Sequence, residues 1–147
     1  MRQFEGVLAY VDCASDSAPS GAHGHRLILT KEAVEQALPT LIGKPINCCK
    51  RLSGHEQNVI GMILDTSIDR KNRIRVRGVV DPTKLSSRRG LGMSFEAEKC
   101  HITDLRAPIW EVNHLTFKGA AVLYKNVAAY KQTSFRIKRG ILCLSTL

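Results

Sequence analysis

The sequence predicts a mostly β domain of the α+β class, with a barrel-like core and peripheral helices. Three observations carry that prediction. Short extended segments recur along the chain against one clear helix. Residues 73–81 alternate basic and apolar side chains with the period of a half-buried strand. A chain of 147 residues is long enough to bury one real core.

Taken in order, residues 3–12 (QFEGVLAYVD) read as a strand. Residues 13–24 are rich in Ser, Gly, Ala and Pro, so they form a loop, of a kind that can cover a site. Extended chain resumes from His25 to Leu29. Thr30 then serves as N-cap of a helix running to Leu38, with Glu32 in the first turn and Ala33, Val34, Ala37 and Leu38 on one side. Pro39 discourages its continuation. Residues 41–49 give a short strand and residues 50–58 a polar loop. Two strands, 59–69 and 73–81, flank a hairpin turn at 70–72. In the second, Arg73, Arg75 and Arg77 alternate with Ile74 and Val76, which gives one arginine-lined face. Residues 82–90 form a basic loop or a single helical turn. Strands follow at 91–102 and 109–117, with one more over 119–124 and a terminal helix within 125–140. The domain boundary falls at 133, leaving 134–147 as a basic tail.

Composition excludes several classes. Apolar residues make up 44% and charged residues 24%, ordinary for a folded globular chain and not for a disordered one. No apolar run approaches the roughly 18 residues that a membrane span requires, and the first residues lack the apolar core of a signal peptide. The expected setting is therefore inside a cell or a particle assembled there. Cys13, Cys48, Cys49, Cys100 and Cys143 are odd in number and irregularly spaced, which argues for reduced thiols. The formal charge of +9 suits a polyanionic partner, either nucleic acid or an acidic protein. Four Phe, three Tyr and one Trp leave little for base stacking.

Two residues stand out for chemistry. Ser94 follows a glycine in Leu91-Gly92-Met93-Ser94, and that glycine leaves room for a close substrate backbone. A serine needs a base within reach. His55, in the polar loop Ser53-Gly54-His55-Glu56, can take and return a proton near neutral pH. A third group must orient the imidazole. Glu111 and His114 are the candidates, and strand alternation allows at most one of them to face the site.

The order of these segments resembles a known family. A His precedes a Gly-containing apolar strand (GHEQNVIGMILD), then comes a Gly-x-Ser strand (LGMSFEAE), then an acidic-apolar strand (IWEVNHLTFKGAAVL). The leading GHRLILTKEAVEQALPTLIGKPI fits as well. Over roughly residues 4–130 the chain resembles the prohead proteases of tailed bacteriophages, which are similar to the herpesvirus assemblins. The resemblance implies a β-barrel core with surrounding helices and a Ser-His-(Glu or His) triad. Ser94 would be the nucleophile, His55 the base, and Glu111 the third member with His114 as the alternative. It implies oxyanion donors at the backbone N–H of Lys118 or Gly119. It also implies no cofactor or metal, a homo-oligomer, and scaffold and major capsid proteins as substrates in the host cytoplasm and the prohead interior. Self-trimming of residues 134–147 belongs to the same expectation. One departure is the short stretch 81–91, where relatives carry a longer, largely helical insert.

Other classes compete. Cys48, Cys49, His55, Cys100 and His101 are metal-type ligands, yet no C-x-x-C-type pair occurs. Cys100 and His101 are adjacent, so a strand points them to opposite faces and they cannot act as a nucleophile–base pair. A non-catalytic capsid-assembly or nucleic-acid-binding module keeping the same fold is the alternative. Its contacts would run through Arg70, Lys71, Arg73, Arg75, Arg77, Arg88 and Arg89, or through Lys131, Arg136, Lys138 and Arg139.

Overall fold

A computed structural model describes residues 1–139. Its elements are β1 (Arg2–Tyr10), β2 (Arg26–Leu29), α1 (Lys31–Leu41), β3 (Pro45–Asn47), β4 (Val59–Ile68), β5 (Arg73–Val80), β6 (Leu91–Ile102), β7 (Ile109–Tyr124) and β8 (Ser134–Ile137). Short 3-10 turns lie at Pro82–Lys84 and Lys125–Val127. The chain is mostly β, as expected, with a single α-helix among the described residues.

Among the described residues the strands form one sheet in the order β2-β7-β3-β4-β5-β1-β8, with β6 also paired to β7. β7 organises it. Its first part pairs in parallel with β2, and its later part pairs in parallel with β3 at Ala120 and Ala121. The other edge of β7 pairs antiparallel with β6. The sheet curls, bringing β6 back towards β1 and β8 as a half-barrel. A Cβ at Gly6 of β1 would fall 2.4 Å from the Ser134 carbonyl oxygen and 2.8 Å from Met93 Sδ. Only glycine permits that approach. Phe4, Leu8, Ile46, Ile63, Met93 and Phe117 fill the interior.

Helix α1 starts where the sequence places it. The Thr30 hydroxyl accepts from the Ala33 N–H at 3.2 Å. It runs past Pro39 to Leu41, however. A proline there withdraws only the bond to the Glu35 carbonyl, and both residues lie on the exposed side. Ala33, Val34, Ala37 and Leu41 are buried, and Thr40 Oγ1 receives the Phe117 N–H at 3.0 Å, tying the helix to β7.

Three further expectations change. Residues 109–124 are one continuous strand, because a bulge at Lys118 absorbs the break that Gly119 signals. The terminal helix is absent from the described part of 125–140. Residues 134–137 form β8 on β1, with Phe135 buried and stacked on Phe4 at 5.1 Å. The tail expected from 134 thus begins inside the sheet, and residues 140–147, including Cys143, lie outside the described residues.

The arginine face of β5 is as predicted, but acids answer it. Arg73 and Arg75 reach Asp69 at 2.7 and 3.7 Å, and Arg77 pairs with Asp65. Arg136 pairs with Glu5, and Lys138 lies 3.6 Å from it. Burial pushes Asp69 up, but the backbone and side chain of Arg73 and the Lys71 N–H outweigh it, so its carboxyl sits below the usual range. Hydrogen bonding from Arg136 likewise holds Glu5 low.

A depressed folded-state pKa adds stability that is complete above the ordinary carboxylate range and disappears as pH falls through the lowered value. Urea unfolding should therefore show wild-type stability falling as pH drops through and below that range. Asp69→Asn should flatten that slope without abolishing it, since Glu5, Asp65 and Asp81 are also held low. At Gly78 a Cβ would lie 2.0 Å from the Met62 carbonyl oxygen. Gly78→Ala should cost about 1–3 kcal/mol in the same measurement by forcing β4 and β5 apart.

Candidate active site

Ser94 and Glu96 stand two residues apart on β6, so strand alternation directs both to one face. Loop residues 48–58 bring His55 over that face. The loop is held at several points. Leu52 is fully buried, and its carbonyl accepts from the Tyr124 N–H at 2.8 Å. The Cys48 N–H donates to the Asn58 carbonyl at 3.1 Å, and the Ser86 hydroxyl donates to the Lys50 carbonyl at 2.9 Å. Inside the loop the Ser53 N–H donates to Cys49 Sγ at 3.2 Å. Burial raises the Cys49 thiol, but N–H groups of Ser53, Gly54 and Arg51 and the Ser53 hydroxyl gather on the sulfur, and its pKa ends below the ordinary thiol value.

His55 Nε2 lies 3.0 Å from Ser94 Oγ, and His55 Nδ1 lies 2.8 Å from Glu96 Oε2. With the Nδ1 proton donated to the carboxylate, Nε2 is the acceptor for the serine hydroxyl. Glu96 Oε1 in turn accepts from Asn47 Nδ2 at 3.0 Å. Asn47, Ala121 and Ser94 form one row across β3, β7 and β6, so the Asn47–Glu96 bond passes over β7. Small residues make that passage possible. A Cβ at Gly119 would fall 2.7 Å from the Pro45 carbonyl oxygen and 3.1 Å from Glu96 Oε1, on a backbone with φ of 155°. The carboxylate occupies the space that a side chain there would need.

Of the residues singled out from sequence, Ser94 and His55 meet. Glu111 and His114 do not join them. β7 passes the pair near Gly119, and Glu111 is eight residues earlier, roughly 26 Å along an extended strand. Its carboxylate accepts from the Thr103 hydroxyl at 3.0 Å. His114 is exposed and faces His101 across the β6–β7 ladder. Glu96 takes the place assigned to them. The period-two rule could have found it, since any polar residue two positions from Ser94 shares its face; Asn47 had no such signal, because the β3–β7 pairing is invisible in sequence.

Lys118 and Gly119 do sit at the site. Gly119 faces Glu96 and Phe117 faces Ala97, which leaves Lys118 without a counterpart on β6. A bulged residue has a backbone N–H outside the regular ladder. Gly92 serves another purpose than expected. A Cβ there would lie 2.5 Å from Thr133 Oγ1 and 3.2 Å from the Lys125 side chain, so the gap admits the protein's own 125–133 segment, not a substrate.

The pair opens into a cleft of about 980 Å³. His55, Ser94, Glu96, Asn47 and Lys118 are among its polar lining. Leu27, Phe95, Ala97, Ile102, Trp110 and Val112 add apolar surface to the same cleft. Residues 19–23 of the loop after β1 line it as well. His25, next along the chain, stacks on Trp110 with ring centroids 4.3 Å apart. Among the described residues no three His, Cys, Asp or Glu side chains group as a metal site requires. Cys13, Cys48, Cys49 and Cys100 are free thiols.

Comparison with protein-family models, with curated proteins and with solved structures returned no match. The site must be read from its own geometry.

Gly119→Ala tests the packing beneath the carboxylate. The added methyl group should destabilise the fold by about 1–3 kcal/mol in urea unfolding. A crystal structure of the variant should show Glu96 displaced from His55.

Proposed function

We propose that the chain is a serine endopeptidase of the capsid-maturation type. The observation that carries this reading is the bridging imidazole of His55, 3.0 Å from Ser94 Oγ and 2.8 Å from Glu96 Oε2. Hydroxyl, imidazole and carboxylate in that sequence are the requirements for activating a serine nucleophile. The curled, mostly β sheet is compatible with the β core that the sequence resemblance implies, although a single α-helix, not several, packs on it among the described residues.

In this mechanism Ser94 Oγ attacks the scissile carbonyl carbon while His55 Nε2 takes the hydroxyl proton. Glu96 holds the ring in place and offsets the charge of the imidazolium. The carbonyl oxygen becomes an oxyanion at the β7 bulge, where the backbone N–H of Lys118 or Gly119 receives it; such a donor contributes about 3 kcal/mol. Collapse of the tetrahedral adduct breaks the C–N bond, and the imidazolium returns its proton to the departing amine. Water then gives a proton to His55 as it attacks the acyl carbon; collapse breaks the C–Oγ bond, and the imidazolium returns its proton to Ser94 Oγ as the carboxylic acid product leaves.

The substrates in this reading are segments of scaffold and major capsid proteins, cut in the host cytoplasm and the prohead interior by a homo-oligomer. The cleft beside Ser94, about 980 Å³ and lined by both polar and apolar side chains, has room for a segment of polypeptide. The non-catalytic alternative, a nucleic-acid-binding module, draws less support. Arg73, Arg75, Arg77, Arg136 and Lys138 are already engaged by Asp65, Asp69 and Glu5.

A fluorophosphonate probe should label the wild-type protein, and Ser94→Ala should abolish labelling. Glu96→Gln should slow it by on the order of 10³-fold, while Glu111→Gln should stay within about twofold of wild type. Mass spectrometry of scaffold protein incubated with the enzyme should then reveal new peptide termini. Unchanged labelling of Ser94→Ala would sink the assignment.

A further inference from the structure

The Asn47 side chain is 3% exposed. Its Nδ2 donates to Glu96 Oε1 at 3.0 Å, but its Oδ1 is buried without a hydrogen-bond partner. The amide cannot be turned the other way, because Oδ1 would then face the carboxylate oxygen. An orphaned buried acceptor typically costs about 1–3 kcal/mol. A buried polar side chain kept for stability would have both ends satisfied. Asn47 has only the end that touches Glu96 satisfied.

We propose that Asn47 is a positioning residue for the triad, retained for its hold on Glu96 at a cost in stability. This rests on the serine-hydrolase reading of the site. The chemistry is specific. A carboxylate can rotate about its last bond and offer either oxygen, or water, to a neighbour. One N–H fixed on Oε1 from the buried side leaves Oε2 as the oxygen that meets His55 Nδ1. The geometry comes from strand pairing: Asn47 and Ser94 share a row through Ala121, and Glu96 reaches back across Gly119 towards β3. Orientation of the ring thus depends on a residue that makes no hydrogen bond to the ring itself.

Position 47 should then trade rate against stability in the reverse of the usual sense. Asn47→Leu, with the same branched heavy-atom skeleton and no acceptor to strand, should unfold at or above the wild-type temperature. Its saturating rate of fluorophosphonate labelling should fall about tenfold, with the probe concentration for half-saturation held within about twofold. Asn47→Ser, too short to reach Glu96, should show the same rate loss. In a Glu96→Gln background, where the imidazole already lacks its carboxylate, Asn47→Leu should cause no further loss. The proposal is overturned if Asn47→Leu or Asn47→Ser labels at the wild-type rate, if the loss is as large in the Glu96→Gln background, or if Asn47→Leu melts several degrees lower. Wild-type protein that fails to label at all would instead overturn the hydrolase reading, so the two failures are separable.

Discussion

An imidazole can hold one partner on each of its two nitrogens, and the distance between those partners is close to two strand residues, roughly 6.6 Å. His55 lies along β6 and takes Ser94 on one nitrogen and Glu96 on the other. Hydroxyl and carboxylate thus come from one strand, and their separation is set by the pleat. Only the imidazole has to be delivered, and a single loop delivers it. The rest of the site follows from keeping β6 straight at that point and loop 48–58 pressed against it.

The surrounding sheet answers both demands. On one side, Met93 and Gly92 lock into Thr133 and the closing edge of β1, so the start of β6 is held from outside the ladder. On the other, β7 carries small residues through the position where the carboxylate crosses it, and its bulge at Lys118 frees backbone from regular pairing beside the reactive groups. The loop is secured by a buried leucine with left-handed backbone, φ 53° at Leu52, a conformation that costs energy and is held by the packing around it. Bulge, glycine and left-handed leucine each break a local rule, and all lie within or beside the cleft.

Local signals in the sequence were read well where local chemistry decides. Thr30 caps α1, Asp69 through Arg73 turn the β4–β5 hairpin, and the alternation in β5 is that of its burial. Pro39 misled because its cost depends on whether the freed carbonyl is buried, and Glu35 faces outward. The expected break between 117 and 119 does not occur, because a bulge at Lys118 carries β7 through it and Gly119 makes room for the Glu96 carboxylate. The pairing of His55 with Ser94 was legible as a match of chemical types. The carboxylate that meets His55 comes not from Glu111 on the next strand but from Glu96, two residues along from Ser94 on the same one. What no local pattern could supply was the row Asn47–Ala121–Ser94, which exists only because β7 pairs with β3 on one edge and β6 on the other.

That strand order has a consequence for the chain as it is made. β7 lies between the strand bearing Ser94 and the strand bearing Asn47, yet it is the last of the three to be synthesised. Until residues 109–124 have emerged and slotted into the gap, hydroxyl and imidazole have no common frame. Serine, imidazole and carboxylate therefore come into register only as the sheet is completed, late in the order of synthesis.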